Sequence, residues 1–311
     1  MMEKIFDVVL VYETNFQKTI VEKLIEEKYK DSDSLLIDAR NHQIRIYETT
    51  YNVNLGGLRW IARSITDIQK LPKIYTKELI GTHFTGINCR FFESYIDYEV
   101  LSLIDDGIGT PAILRNEHFV KTPGWFFRLL CANFLMLALN GRRLKTVKEL
   151  ISRISNYYTI YNFISNSYCA SLTDKVIYHL NYYDGYKDIK VINGLACYIG
   201  SWKNPYIEQC LKYVRKRHNK IYYFPHPGEK VSDTIRQVVD EVVRPDSTIE
   251  DYFKKNGIPE FVYGSMSSVF LNIKLSGIKS KITVFSTLDN NNTYSKIYVE
   301  NGINLINAKL L

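Results

Sequence analysis

The sequence has few cysteines and pairs none of them by spacing. Cys89, Cys131, Cys169, Cys197 and Cys210 are an odd number, scattered without a Cys-x-x-Cys pattern. That argues against a disulfide framework and against a zinc site, and it makes a reducing compartment the expectation. Long apolar runs are lacking too. The longest apolar stretch, Trp125–Leu139, is shorter than the ~20 residues a membrane span needs. The opening Ile5–Tyr12 run carries Asp7 and has no basic segment ahead of it, so no signal peptide is expected and a cytoplasmic location is. A strong excess of one charge is also missing. Forty basic against thirty-three acidic side chains leave a net +7. A nucleic-acid binder usually concentrates more charge than this on one face, so an anionic substrate or an anionic membrane surface fits at least as well.

What is present is ordinary globular material: 311 residues with 46% hydrophobic and 23% charged, enough for two cores. The 24 tyrosines suit half-buried strands and grooves but specify no chemistry.

Ile5–Tyr12 is a nearly continuous β-branched and apolar run, as expected of a strand covered on both faces. Thr14-Asn15 caps an amphipathic helix over Phe16–Tyr29, and Ser34–Asp38 returns as a strand. Strand, helix and strand at this spacing make a β-α-β unit and a parallel sheet. A helix is expected over Leu55–Leu71, and strands over Glu78–Phe84 and Val100–Ile104. After Pro123, the apolar Trp125–Leu139 is closed by Asn140-Gly141, and a basic helix with Arg142, Arg143, Lys145 and Lys148 follows. The apolar stretch is read first as a buried helix, with peripheral membrane docking or homodimer packing as the alternatives.

A second α/β pattern starts near Asp188. Its strands are expected at Lys190–Ile199, Lys220–Phe224, Glu241–Val243, Phe261–Tyr263 and Lys281–Phe285. Helices are expected at Pro205–Arg217, around Ser232–Val239, from Ser247-Thr248 onward, and at Ser265–Leu275, with Asp289–Asn292 as a loop. The expected division is residues 1–185 and 186–311, two Rossmann-like α/β domains facing a central cleft.

Three features stand at the carboxyl ends of strands, where α/β enzymes keep their sites. Asp105-Asp106-Gly107-Ile108-Gly109 can present an acid as a general base, and it can equally be an Asp-Gly turn. His226 is held between Pro225 and Pro227, which fix the backbone around its imidazole. Gly264-Ser265-Met266-Ser267-Ser268 opens a helix, where hydroxyls and free N–H groups receive an anion; N-capping by Ser265 is the plainer reading. Gly200-Ser201 is a weaker strand-to-helix turn of the same kind. The one candidate for RNA stacking, Arg215–Tyr223, reads more simply as a basic helix end before a buried strand, so no nucleic-acid partner is expected.

Taken in order, Asp105-Asp106-Gly107, Gly200-Ser201, Pro225-His226-Pro227, Thr248-Ile249-Glu250-Asp251-Tyr252 and Tyr263–Ser268 resemble the motifs of bacterial sialyltransferases. The resemblance is to the lipooligosaccharide and capsular enzymes of glycosyltransferase family 52. It implies a GT-B-like fold, CMP-sialic acid as sugar donor, a glycan acceptor with a galactose-type hydroxyl, and neither metal nor other cofactor. It implies His226 at the phosphate, Glu250 near the ribose, and Ser265, Ser267 and Ser268 around the phosphate, with Gly107, Gly200, Ser201 and Pro227 lining the donor site. Asp106, and after it Asp105, is the acid expected to act as base. The chain departs from the family after the Gly-Ser turn, where Ser201-Trp202-Lys203-Asn204-Pro205 offers no carboxylate. Another nucleotide sugar such as a UDP-hexose, or a non-catalytic CMP-binding role in capsule assembly, therefore stays open.

Overall fold

The computed structural model describes residues 4–39, 43–46, 49–52, 69–82, 87–107, 109–115, 129–130, 132–134, 136–137, 141–184, 186, 188–201, 204–288 and 292–311. The chain divides into two units, Met1–Tyr182 and Tyr183–Leu311.

In the first unit β1 (Lys4–Tyr12) leads through α1 (Asn15–Lys28) to β2 (Ser34–Asp38), paired in parallel. The α1 N-terminus is a complete capping box: Gln17 N–H donates to the Thr14 hydroxyl, and Gln17 Oε1 accepts from the Thr14 N–H. An antiparallel ribbon, β3 (Gln43–Ile46) and β4 (Thr49–Asn52), extends one edge. On the other side of β1 lies β5 (Ile74–Gly81). After α2 (Ile87–Tyr95) come β6 (Asp97–Ile104), α3 (Gly109–Arg115), α4 (Val147–Arg153), β7 (Ile154–Thr159) and β8 (Val176–His179). The sheet order is β4-β3-β2-β1-β5-β6-β7-β8, parallel from β2 to β8.

The second unit holds β9 (Val191–Ile199), α5 (Ile207–Arg215), β10 (Ile221–Phe224), α6 (Asp233–Val238), β11 (Glu241–Val242) and α7 (Ile249–Asn256). It continues through β12 (Ile258–Ser265), α8 (Ser268–Leu275), β13 (Lys281–Ser286), α9 (Thr293–Glu300) and β14 (Asn304–Asn307). Its sheet is wholly parallel, in the order β11-β10-β9-β12-β13-β14. Counted by appearance that is three-two-one-four-five-six, the Rossmann order, with its switch point between β9 and β12. Tyrosine is a core residue here: the fully buried Tyr198 ring stacks on Tyr223 at 5.9 Å and on Phe285 at 6.0 Å.

Several expected elements shift for identifiable reasons. The strand expected over Glu78–Phe84 is centred on Glu78, because that carboxylate accepts hydrogen bonds within the sheet from Ser102, Asn156 and Tyr158. The expected basic helix begins only at Val147. Before it, Leu144 is buried and gives its N–H to Asn133 Oδ1 at 2.8 Å, and Thr146 caps α4 with Glu149. Ser265 ends a strand instead of starting a helix, and Ser267 takes the N-cap position of α8. Gly264 stands just before Ser265 in β12, where a Cβ would strike Ile199 O on the paired strand and lie 2.8 Å from the Phe270 ring. Asn292, expected in a loop, caps α9 through Tyr294 N–H. Residues 55–68 of the expected Leu55–Leu71 helix lie outside the described residues, as do 83–84 of the expected Glu78–Phe84 strand, 125–128, 131, 135 and 138–140 of the apolar stretch and its close, Ile108, Trp202, Lys203 and 289–291. Among the described residues no helix is long and apolar enough to cross a membrane.

Candidate functional site

In the first unit the adjacent acids after β6 separate into different environments. Asp105 is 0% exposed, and both its oxygens are engaged: the Tyr157 hydroxyl donates to one, and Thr159 Oγ1 and Ile160 N–H donate to the other at 2.8 and 2.6 Å. Burial pushes its carboxyl up to about 7, against the pull of these three bonds and with a smaller push from the Asp106 charge. It ties β6 to β7 and presents no oxygen to a substrate.

Asp106 is only partly buried. Its Oδ1 accepts from Gln17 Nε2 at 2.5 Å, and its own N–H donates to Thr110 Oγ1 at 2.9 Å. Gly107 follows with φ 67°, a left-handed turn that glycine adopts freely. At Gly109, which opens α3, a Cβ would meet Asp106 Oδ2 at 3.7 Å, an ordinary van der Waals contact. Gln17 is a residue that no site motif in the sequence marks. It is 1% exposed and spends one end of its amide on the α1 cap and the other on Asp106. Its capping-box spacing was visible in the sequence, but its long-range partner was not.

The remaining candidates belong to the second unit. His226 follows β10. Its Nδ1 accepts from Gly228 N–H at 3.3 Å. The loop is pinned by Glu229, which no motif had marked. Its carboxylate accepts from the Tyr223 hydroxyl and, at 3.0 Å, from His226 N–H; its own N–H returns to His226 O at 2.8 Å. Arg244 donates to Glu229 O at 2.7 Å. Gly200, directly after β9, has a packing reason to be glycine: a Cβ would lie 2.6 Å from both Glu229 Oε2 and Tyr223 OH. Gly200, Tyr223, Glu229 and His226 therefore form one cluster, with Pro227 exposed at its rim.

A second cluster forms at the end of β12. Asn204 Nδ2 donates to the buried Ser265 Oγ at 2.6 Å, and the Tyr198 hydroxyl lies 3.4 Å from it. Ser265 is thereby committed to protein partners. Ser267 makes no side-chain capping bond, and Ser267 and Ser268 are both partly exposed at the first turn of α8. Tyr298 fixes the turn by donating to Ser267 O at 2.7 Å. Ser201 is partly exposed beyond Gly200.

Glu250 stands apart from both clusters. It lies in the first turn of α7, is 4% exposed, and accepts from Asn272 Nδ2 of α8 at 2.8 Å; burial raises its carboxyl pKa. Asn272 Oδ1 in turn accepts from Tyr183 at 3.2 Å. Among the described residues no group of three or more His, Cys, Asp or Glu is placed to hold a metal ion. Arg215, in the basic stretch weighed for RNA, turns inward to Val238 O, Asn219 O and Asp240.

No family model and no curated protein matches the sequence. Solved structures do match the fold. The UDP-N-acetylglucosamine 2-epimerase from Rickettsia bellii superposes with a TM-score of 0.52 at 10% identity, over 90% of this chain and 78% of that one. The UDP-GlcNAc 2-epimerase from Neisseria meningitidis, bound to UDP-GlcNAc, superposes with a TM-score of 0.50 at 8% identity, over 99% and 88% of the two chains. The chain is thus an α/β protein of GT-B-like fold with two Rossmann-like units.

Proposed function

We propose that this chain is an inverting glycosyltransferase that moves sialic acid from CMP-sialic acid to a galactose-type hydroxyl of a bacterial surface glycan. The GT-B-like fold supports a nucleotide-sugar enzyme in general. The observation that carries the reading further is the carboxyl edge of the second sheet. There the His226 loop after β10 and the Ser267–Ser268 turn after β12 flank Gly200-Ser201 after β9. Strands two apart are about 10 Å from each other, which leaves room for one phosphate between an imidazole and a helix end carrying hydroxyls.

In this reading the bond from the sialic acid ketal carbon to the phosphate oxygen breaks, and its electrons go to CMP. The His226 imidazole, the α8 N–H groups and the Ser267 and Ser268 hydroxyls meet the charge that develops there. A single phosphate is within reach of such a set without a metal. The acceptor hydroxyl attacks the oxocarbenium-like carbon with inversion, and the base role, acceptance of the hydroxyl proton, is assigned to Asp106. Asp105 is committed to Tyr157, Thr159 and Ile160, so the base role falls to its neighbour. Glu250 is assigned to the ribose side by the family resemblance, and its Oε1 is held by Asn272. A UDP-hexose donor is the second reading, favoured by a fold neighbour bound to UDP-GlcNAc.

Titration calorimetry with CMP and UDP tests the assignment. CMP should bind, Ser267→Ala should weaken it by roughly tenfold or more, as loss of a hydrogen bond to a charged group does, and UDP should bind less tightly. Preference for UDP would move the function to the second reading, and failure to bind either nucleotide would remove both.

A further inference from the structure

Among the described residues of the apolar stretch expected to be a buried helix, burial is confined to one face. Helical residues Ala132 and Met136 are 1% and 0% exposed, whereas Leu130, Phe134 and Leu137 are 52%, 71% and 47% exposed. Positions 130, 134 and 137 share one face of a helix, and 132 and 136 lie on the opposite one. Three large apolar side chains in one stripe are more than scattered surface exposure produces.

Charge gathers beside the stripe. From Lys121 to Arg153 the sequence has seven basic residues and one acidic residue, Glu149. Arg142, Arg143 and Lys148 are exposed just beyond the helix. Arg142 and Arg143, with Lys145, Arg153, Glu149 and Ser94, line an open depression of about 410 Å³. The acids that face this group are Asp97 on Arg142, Glu149 on Arg143, and the buried Glu93 on Lys145 and Arg153. With Lys148, five bases stand against these three acids, a net charge of +2.

We propose that this face of the first unit docks on the surface of an anionic lipid bilayer. Leu130, Phe134 and Leu137 enter the headgroup boundary, and Arg142, Arg143 and Lys148 contact lipid phosphates. A helix with an apolar stripe and flanking Lys/Arg lies in the interface plane in this way. A second copy of the chain fits the stripe less well, because it brings two basic edges together. The inference stands independently of the sugar donor.

Co-sedimentation of the full chain with vesicles tests it. The protein should pellet with phosphatidylglycerol-containing vesicles at low salt and stay in solution with pure phosphatidylcholine. Phe134→Ser should lower partitioning roughly tenfold, and joint replacement of Arg142, Arg143 and Lys148 by Gln roughly a hundredfold. Phe134 is exposed, so an unchanged melting temperature is expected and verifies folding; Leu137→Ser provides an independent second variant. Equal binding to both vesicle types, or binding indifferent to Phe134→Ser and Leu137→Ser, would overturn the proposal. So would a dimer in light scattering that Phe134→Ser dissolves.

Discussion

Gln17 Nε2 donates to Asp106 Oδ1 at 2.5 Å, joining the first turn of α1 to the turn after β6 across 89 positions of sequence. The same amide oxygen accepts the N–H groups of Glu13 and Thr14, so the orientation of Asp106 is coupled to a helix cap. Gln17→Glu keeps the cap acceptor and replaces the donor with a carboxylate beside Asp106. The expected result is a small stability change with turnover falling roughly tenfold. The acidic limb of the pH–rate profile should move upward, because a neighbouring negative charge raises a carboxyl pKa. Unchanged kinetics would separate Gln17 from the chemistry.

Asp105 makes a pH-dependent contribution whose sign is fixed by its burial. Its folded-state carboxyl is pushed up to about 7 from an ordinary value near 3.8. Between those values the folded chain holds a proton that the unfolded chain has lost, so this contribution weakens as pH rises from about 4 to 7 and is flat above. Asp105→Asn should flatten that slope in urea midpoints measured from pH 4 to 8. Retention of the slope would assign it to another group.

Glu78 acts in the opposite sense. Burial alone would raise its carboxyl, but hydrogen bonds from Ser102, Tyr29, Asn156 and Tyr158 outweigh it and hold the pKa below its usual value. Its stabilisation is present above the unfolded carboxyl range and is lost as pH falls through the lowered value. Glu78→Gln should lower the urea midpoint at pH 7 and narrow the difference from wild type at pH 3. An equal loss at both pH values would show that packing, not charge, is what Glu78 supplies.

Glu229 positions the His226 loop through His226 N–H and Tyr223 OH. Glu229→Ala should raise KM for the sugar donor and lower kcat together, whereas Tyr223→Phe, which leaves the His226 bond in place, should do less. Equal effects from the two variants would make the tyrosine contact the important one.

Much of the second unit was legible because its strands are apolar runs and its loops announce themselves through proline, glycine and serine. Pro225-His226-Pro227 directly follows β10, and Gly200 directly follows β9. The parts that escaped depend on side chains that meet across the sheet. β7 is hidden because Asn156, Tyr157 and Tyr158 read as polar or ambiguous, yet their partners Glu78 and Asp105 satisfy them in the interior. Gln17 and Glu229 escaped for the same reason: neither carries a local motif for its long-range or loop-closing bond. Gly264 is legible only in retrospect. Its role is the close approach of β12 to Ile199 O, and Gly264→Ala should destabilise the chain by about 1–3 kcal/mol through overpacking. A thermal melt measures this directly, and an unchanged midpoint would mean the strands can part at little cost.

The central claim is transfer of sialic acid from CMP with Asp106 as base. The most direct measurement is single-turnover transfer from CMP-sialic acid to a simple galactoside in the presence of EDTA, run on the wild type, Asp106→Asn and His226→Ala. A sialoside of inverted configuration is expected together with CMP. Asp106→Asn should lose about 10²–10⁴ in rate with CMP binding retained, and His226→Ala should lose both rate and CMP affinity. Absence of sialoside from the wild type, or near-full transfer by Asp106→Asn, would contradict the claim.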